Sequence, residues 1–512
     1  MNIQDNVRKF LSHDTVRGWV MAVLFVAFMV GFGWLSLADL HSKTYMIIEF
    51  AATILVLAAL IAVGSRQADK APTGQIRRWV TTADKKCQEV EPLSWRRGWS
   101  DKNPTIRILP DITFQTILGW GAHFTDSACW VISQMAEKAR EALLFELIDP
   151  SMMDLNVLGF TIGSSDYSPK DYNPADGLEP DPELKRFSIE YDKGYKIPVL
   201  RRVLQINPNV LYVARPWSPS PWMKPSKTLR GGNMNYVYMD AWGDFFVKFI
   251  QSYDAEGVPI YAVTSQNEPD TDQNGSMTQS QLSIQQERDF VGGYMYPRFQ
   301  KNGIKTLIWI HDHNFDSAGR PLSMSESADF LKCVGGYAWH PYGGDPIWMA
   351  RFRKMYPHID HHITEGTAVF GAPDYLTDHT NWSGQLTTYS RCEVNSVSWW
   401  NIALTPDGKP NVGPFGCGGM VSVDLKTNEV VRSGQYWGTA HFSRFVKRGA
   451  KRIESKGEIK DLQHVAFINP DGTGVMVVTN NGDERTVSLQ LGAGVVDVLV
   501  EKGSTTTLTW KQ

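Results

Sequence analysis

Two glutamates, each at the end of a short apolar run, are the residues in this sequence whose surroundings could do chemistry. Residues 261–270 read YAVTSQNEPD: the first four form a strand, Ser265, Gln266 and Asn267 are polar, and Glu268 stands before Pro269, which ends any strand. Asn267 offers a side-chain amide that can hold a hydroxyl. Residues 361–366, HHITEG, repeat the arrangement and present Glu365 before a glycine. Two carboxyls, one to protonate a leaving oxygen and one to attack, are what cleavage of a glycosidic bond requires. Asn-Glu-Pro alone is also an ordinary strand-to-loop turn, and the second segment decides between the readings.

Carboxyls so placed need strand ends that face each other. Glu268 and Glu365 are separated by about three units of roughly 32 residues, the length of one βα repeat in an eight-stranded barrel of about 250 residues. Strand-like and helix-like stretches alternate accordingly. Strands at 157–162, 210–214, 306–310 and 336–339 run into SSDY, RPWSPSPWMK, HDHN and HPY, 397–401 reads as the last strand, and helices fall at 128–147, 242–253 and 435–446. The barrel is placed at 119–446. Residues 447–512 carry short alternating runs separated by Asn-Pro-Asp-Gly and Asn-Asn-Gly-Asp turns, the pattern of an antiparallel β-sandwich, which the runs in 105–118 join. Trp217 and Trp222, on a proline-fixed loop, are stacking faces for a pyranose or pack beneath the loop.

The 512 residues are 42% hydrophobic with a net charge of −3, which gives no case for nucleic acid. Five cysteines show no CxxC or zinc spacing and suit a reducing compartment. The histidines at 311, 313, 358, 361 and 362 could suggest a metal, but a zinc site combines such spacing with a closing Cys, His or carboxylate and a second shell, and nothing in the sequence demands one, so no metal or cofactor is expected. Residues 1–70 differ: 16–38 and 45–64 are apolar runs of about 20 residues, joined by a polar turn, and read as a two-helix transmembrane hairpin in the lipid bilayer. Arg8, Lys9, Arg17, Arg66, Lys70, Arg77 and Arg78 flank the hairpin against Lys43 in its turn, which puts both termini and the following domain on the cytoplasmic side. Residues 71–104, polar and turn-rich, read as a linker.

In order, GWGAHFTDSA, RPWSPSPWMK, TSQNEP, AWHPY, ITEG, WWNIAL and AHFSRFV resemble family 30 of the glycoside hydrolases, most of all its glucosylceramidase (acid β-glucosidase) branch, across about residues 106–510. The resemblance implies a (β/α)8 TIM barrel with an attached β-sandwich and a retaining mechanism, with Glu268 as general acid/base and Glu365 as nucleophile. It also implies that Asn267 bonds the sugar 2-hydroxyl, that Asp126, Trp217 and Trp400 hold the remaining hydroxyls and the ring, that His340 and Tyr342 lie near the nucleophile, and that Asn411 lies at the mouth. The substrate it implies is a β-glucoside, first a glucosyl lipid. A β-1,6-glucanase or β-xylosidase is the alternative, and a non-catalytic tethered glycan-binding protein, which should lack one glutamate, comes last. Pro341 stands where that branch has Trp and Gln266 where it has Glu, and residues 270–283 lack its leaving-group aromatics. The mechanism calls for carboxyls about 5–5.5 Å apart and a resting pKa of Glu268 above that of Glu365.

Overall fold

The computed structural model describes residues 72, 74–100 and 102–511. The hairpin read from 16–38 and 45–64 lies outside the described residues; among the described residues no helix is long and apolar enough to cross a membrane.

Eight strands build the barrel: β1 Gly119–Ala122, β2 Val157–Ile162, β3 Leu211–Pro216, β4 Ile260–Thr264, β5 Leu307–Asn314, β6 Gly336–His340, β7 His361–Ile363 and β8 Ser396–Trp399. From β2 to β8 each runs parallel to the next, and β8 pairs with β1. A parallel bridge between His123 and Gly159 closes the ring. A strand such as VLGFTI is buried at every position, because one face meets the barrel interior and the other the helices. Val157, Val213, Ala262, Trp309 and Ala338 pack inside. Outside, helix Met239–Ala255 buries Trp242, Phe245, Phe246, Phe249 and Tyr253. The stretch 128–147 is two helices rather than one, Asp126–Gln134 and Glu137–Ile148, the first capped by the Thr125 side chain.

The stretch 71–104 is not a linker. It contributes strands Gln75–Thr81, Gln88–Ser94 and Arg96–Arg97 to a ten-stranded sheet. Its polar composition reflects exposure: Ile76, Trp79 and Val80 point inward, while Arg77 and Glu89 pair across the exposed face at 2.7 Å. Thr105–Thr116 is likewise one strand rather than two, with Pro110 in a bulge where its register with Lys451–Lys456 jumps. It runs parallel to Arg485–Leu491, a departure from purely antiparallel order. Ile76, Ile106, Ile453, Val478, Val498 and Trp510 share one core inside this sheet.

A polar seam joins the sheet to the barrel. The His441 ring, on helix Gly434–Ser443, meets Thr507 Oγ1 at 2.8 Å through Nδ1 and Thr81 Oγ1 at 2.7 Å through Nε2. Residues 75–81 thus dock on the helix that follows β8.

At the closure of the barrel, a Cβ on Gly121 would lie 1.8 Å from the Val157 carbonyl oxygen, and one on Gly159 would lie 1.9 Å from His123 Nε2. The β1–β2 seam closes because those side chains are absent. Gly121→Ala is expected to cost at least about 1–3 kcal/mol through overpacking against backbone, read as a lowered urea or thermal midpoint. Gly319→Ala, where the added carbon meets nothing within 4 Å, leaves the midpoint unchanged or higher.

Candidate active site

The catalytic face is shaped by irregular backbone at the ends of β4 and β5. Glu268 follows β4 with φ of +42°, a left-handed conformation costly for a residue with a Cβ. Its amide donates to the Asp312 carbonyl at 3.0 Å. The single Nε2 of Gln279 donates to the carbonyls of Asn267 at 2.7 Å, Glu268 at 2.9 Å and Thr271 at 3.3 Å, so one amide holds this turn. In β5, His311 and Asp312 have φ of +79° and +48°. There the pairing with β6 advances from Ala338 to Trp339 while β5 advances from His311 to His313. The extra residue is Asp312, which the bulge turns toward the mouth.

Arg215, on β3 and fully buried, is the centre of the site. Its Nε donates to Asp312 Oδ2 at 2.9 Å, Nη1 to the Thr364 carbonyl at 3.0 Å, and Nη2 to Asn267 Oδ1 at 2.6 Å and Glu365 Oε1 at 2.9 Å. The other oxygen of Glu365 accepts from the Tyr342 hydroxyl at 3.1 Å. His340 stands between the carboxyls: Nδ1 is 3.1 Å from Glu268 Oε1 and 3.6 Å from Glu365 Oε2, while Nε2 is 3.1 Å from Asp312 Oδ1. One nitrogen within reach of both glutamates puts their oxygens no farther apart than those two distances combined.

Trp217 and Trp400 stack with ring centres 5.0 Å apart, nearly buried beside the Arg215 guanidinium. Asp126 is buried at the start of its helix. Its Oδ1 accepts from Tyr195 at 3.0 Å and faces Lys196 Nζ at 3.4 Å, while Oδ2 is buried with no hydrogen-bond partner among the described residues. Asn411 spends its amide on its own loop, donating to the Phe415 carbonyl and accepting from the Gly413 amide, both at 2.6 Å. Gln266 donates to the Trp217 carbonyl at 2.6 Å and anchors that loop.

The electrostatics reverse the expected order of the two glutamates. For Glu268, burial pushes its pKa up, but the hydrogen bond and charge of His340, then His313 and Gln273, outweigh it and leave the carboxyl below its ordinary value. Glu365 is raised, first by burial and further by Glu268 and Asp312, against the pull of His340 and Arg215. Burial opposes charge on His340, yet Glu365, Asp312 and Glu268 raise it to about 9. With its pKa raised to about 9, the ring holds a proton on Nδ1 toward Glu268. Nε2 is shared between two neighbours, the Arg215 Nη2 donor at 2.7 Å and Asp312 Oδ1 at 3.1 Å. The cause of the reversal is two imidazoles beside Glu268: His313 Nδ1 is also 3.7 Å from Glu268 Oε1.

Arg215, Asp312 and His313 went unrecognised as site residues in the sequence. Their signal was a charged or polar group inside a strand otherwise apolar enough to be buried. The histidine-rich segments separate in space: His361 and His362 are buried in β7, His358 is exposed, and His313 reaches Glu268.

The family model for the glycosyl hydrolase family 30 TIM-barrel domain matches residues 117–446, and that for the family 30 beta sandwich domain matches 449–508. An endo-1,6-beta-D-glucanase of Trichoderma harzianum is 29% identical over 79% of this chain and 84% of its own length. The lysosomal acid glucosylceramidase of Mus musculus is 24% identical over 80% of this chain and 84% of its own. Among solved structures, an endo-beta1,6-glucanase superposes with a TM-score of 0.78 at 27% identity, covering 86% of this chain and all of the other.

The raised pKa of His340 carries a stability signature. A group whose folded pKa, about 9, exceeds its unfolded value of about 6.5 stabilises fully below the lower value and loses that contribution as pH rises through the upper one. The gap in unfolding midpoint between wild type and His340→Gln is expected to be widest near about pH 6 and to narrow toward about pH 10. A gap independent of pH would remove the imidazolium from the centre of the site.

Proposed function

Because the chain belongs to glycosyl hydrolase family 30 and is therefore a retaining glycosidase, we propose that it cleaves a β-1,6-linked glucan, with Glu365 as nucleophile and Glu268 as acid/base. Glu365, held by Arg215 and Tyr342, attacks the anomeric carbon. Glu268 passes a proton to the leaving oxygen and draws it from Nδ1 of His340, 3.1 Å away. The resulting glycosyl ester leaves Glu365 uncharged. Water then loses a proton to Glu268, attacks the same carbon and expels Glu365, so two inversions give net retention. The Trp217–Trp400 stack forms the floor of the sugar subsite, and the unpartnered Oδ2 of Asp126 takes its hydroxyls.

The observation that carries the glucan reading is the loop after Glu268. Residues 270–283 put hydrogen-bonding side chains beside the acid, and Gln273 donates to Glu268 Oε2 at 2.9 Å. A leaving sugar finds partners there, while a sphingoid base finds no apolar wall in that segment. The two endo-1,6-glucanase likenesses support the same substrate.

A second reading, hydrolysis of a glucosyl lipid at a cytoplasm-facing membrane surface, has its own support. Tyr342 (47% exposed), Val369, Phe370 and Phe415 present apolar surface from the loops after β6, β7 and β8, and the apolar runs 16–38 and 45–64 would tether the domain to a bilayer.

Linear β-1,6-glucan, glucosylceramide in detergent micelles, and aryl β-glucoside and β-xyloside separate these readings. The full chain is expected to release oligosaccharides from the glucan with at least about tenfold higher kcat/KM than it shows for the lipid. Turnover of the lipid alone would overturn the glucan reading. Glu268→Gln is expected to slow the glucan by roughly 10²–10⁴-fold, the usual share of a general acid, and Glu365→Gln to abolish turnover. Activity surviving Glu365→Gln would remove it as the nucleophile.

A further inference from the structure

We propose that Lys196 is a positioning residue of the sugar subsite: its buried ammonium holds one oxygen of Asp126 and leaves the other for a hydroxyl of the bound sugar. The proposal rests on the contact between Asp126 and sugar hydroxyls given above, and it holds for any glucoside the site takes.

A lysine is almost never fully buried unless its charge is paired, and Lys196 has no exposed side-chain surface. It opens the helix Lys196–Ile206. Its Nζ lies 3.1 Å from Asp192 Oδ1 and 3.4 Å from Asp126 Oδ1, and donates to the Thr161 carbonyl at 3.2 Å and to the Tyr172 hydroxyl. Thr161 belongs to β2, Asp126 begins the helix after β1, and Asp192 lies on the short helix Glu190–Lys193. One ammonium therefore ties Asp126 to β2.

The two carboxyls that share this ammonium differ in what remains to them. Asp192 is complete: Oδ1 accepts from Tyr172 at 2.5 Å and Oδ2 from Tyr253 at 2.9 Å. Asp126 is half used. Its Oδ1 accepts from Tyr195 at 3.0 Å and faces Lys196, whereas Oδ2 is buried with no hydrogen-bond partner among the described residues. A buried acceptor left unpaired is unfavourable, and the carboxyl cannot relieve this by turning, because Tyr195 and Lys196 both hold Oδ1. A sugar hydroxyl can donate to Oδ2 and complete the set.

The ammonium also governs the charge on that oxygen. Burial raises the Asp126 pKa to about 6, against the downward pull of Lys196, and Asp192 adds to the rise. Without Lys196, burial and Asp192 both favour the neutral carboxyl, which is the weaker acceptor.

The test titrates the full chain by calorimetry with deoxynojirimycin, an iminosugar with the hydroxyls of glucose, and with the analogues that each lack one ring hydroxyl. The readout is the affinity of the parent relative to each analogue. A smaller folded fraction leaves that ratio unmoved, and so does a changed net charge, because all these ligands carry the same nitrogen. The hydroxyl that meets Asp126 is the one whose loss no longer matters in Asp126→Ala. In wild type its loss is expected to weaken binding about 10- to 100-fold, the worth of a hydrogen bond to a charged group. In Lys196→Met that penalty is expected to fall to within about threefold. Should Lys196→Met fail to fold, Tyr195→Phe, which removes only a hydroxyl from Oδ1, is expected to cut the penalty at least about threefold. Full discrimination in Asp126→Ala, or no binding of the parent to wild type, removes the sugar contact and the proposal with it. A penalty lost in Asp126→Ala but kept in Lys196→Met, or in Tyr195→Phe where Lys196→Met does not fold, overturns the proposal alone.

Discussion

A guanidinium with no access to water must be compensated in full by its neighbours, and Arg215 is such a group. Removing either carboxylate partner would leave buried charge unpaired, at a cost of several kcal/mol. Its donors reach Asn267 after β4, Asp312 in β5, and Thr364 and Glu365 after β7, so satisfying one side chain fixes the relative positions of the strand ends that carry both glutamates. Lysine could not do this, since one ammonium cannot present a planar fork to partners spread around a ring.

Delivering those partners requires backbone that regular strands do not supply. A strand turns successive side chains to opposite faces, so Asp312 in unbroken register would share its alternation with its neighbours. The bulge in β5 adds a residue and aims Asp312 at Arg215 and His340, and the carbonyl freed there receives the amide of Glu268. The left-handed backbone of Glu268 persists because Gln279 and Asp312 hold the turn from both sides. The strain at Glu268 and the strain in β5 are therefore one construction.

The repeating architecture was legible in the sequence because it is written in apolar runs: residues 157–162 coincide with β2, and the glutamates stand where β4 and β7 end. What escaped is informed by longer-range physics. Residues 75–97 are strands with one solvent-facing side, so their composition is that of a linker, and their partners arrive from the far end of the chain, as Thr81 opposite Thr505 illustrates. Arg215 lay in view within RPWSPSPWMK, but a lone arginine after a strand has no meaning until Asp312 and Glu365 are placed around it. Trp217 was easier to find, being a large ring on a proline-fixed loop, whereas Trp400, which stacks on it, was reached only through the family resemblance. Asn411 shows the converse: its position in the chain is that of a mouth residue, while its amide is committed to the loop that carries it.

The placement of the proton follows from the same packing. Three carboxylates converge on His340, and burial cannot overcome their combined attraction for a charged ring, so the imidazole holds the proton that a simpler site would leave on the acid. Glu268 is then ionised at rest, and its protonation becomes coupled to the charge on its neighbours. In the proposed mechanism, conversion of Glu365 to an ester removes one of the anions stabilising His340, so the ring gives up its proton more readily at the step in which the leaving oxygen needs it. That mechanism links nucleophilic attack and proton delivery through a single ring within reach of both carboxyls, and Glu268 need not be kept protonated in advance.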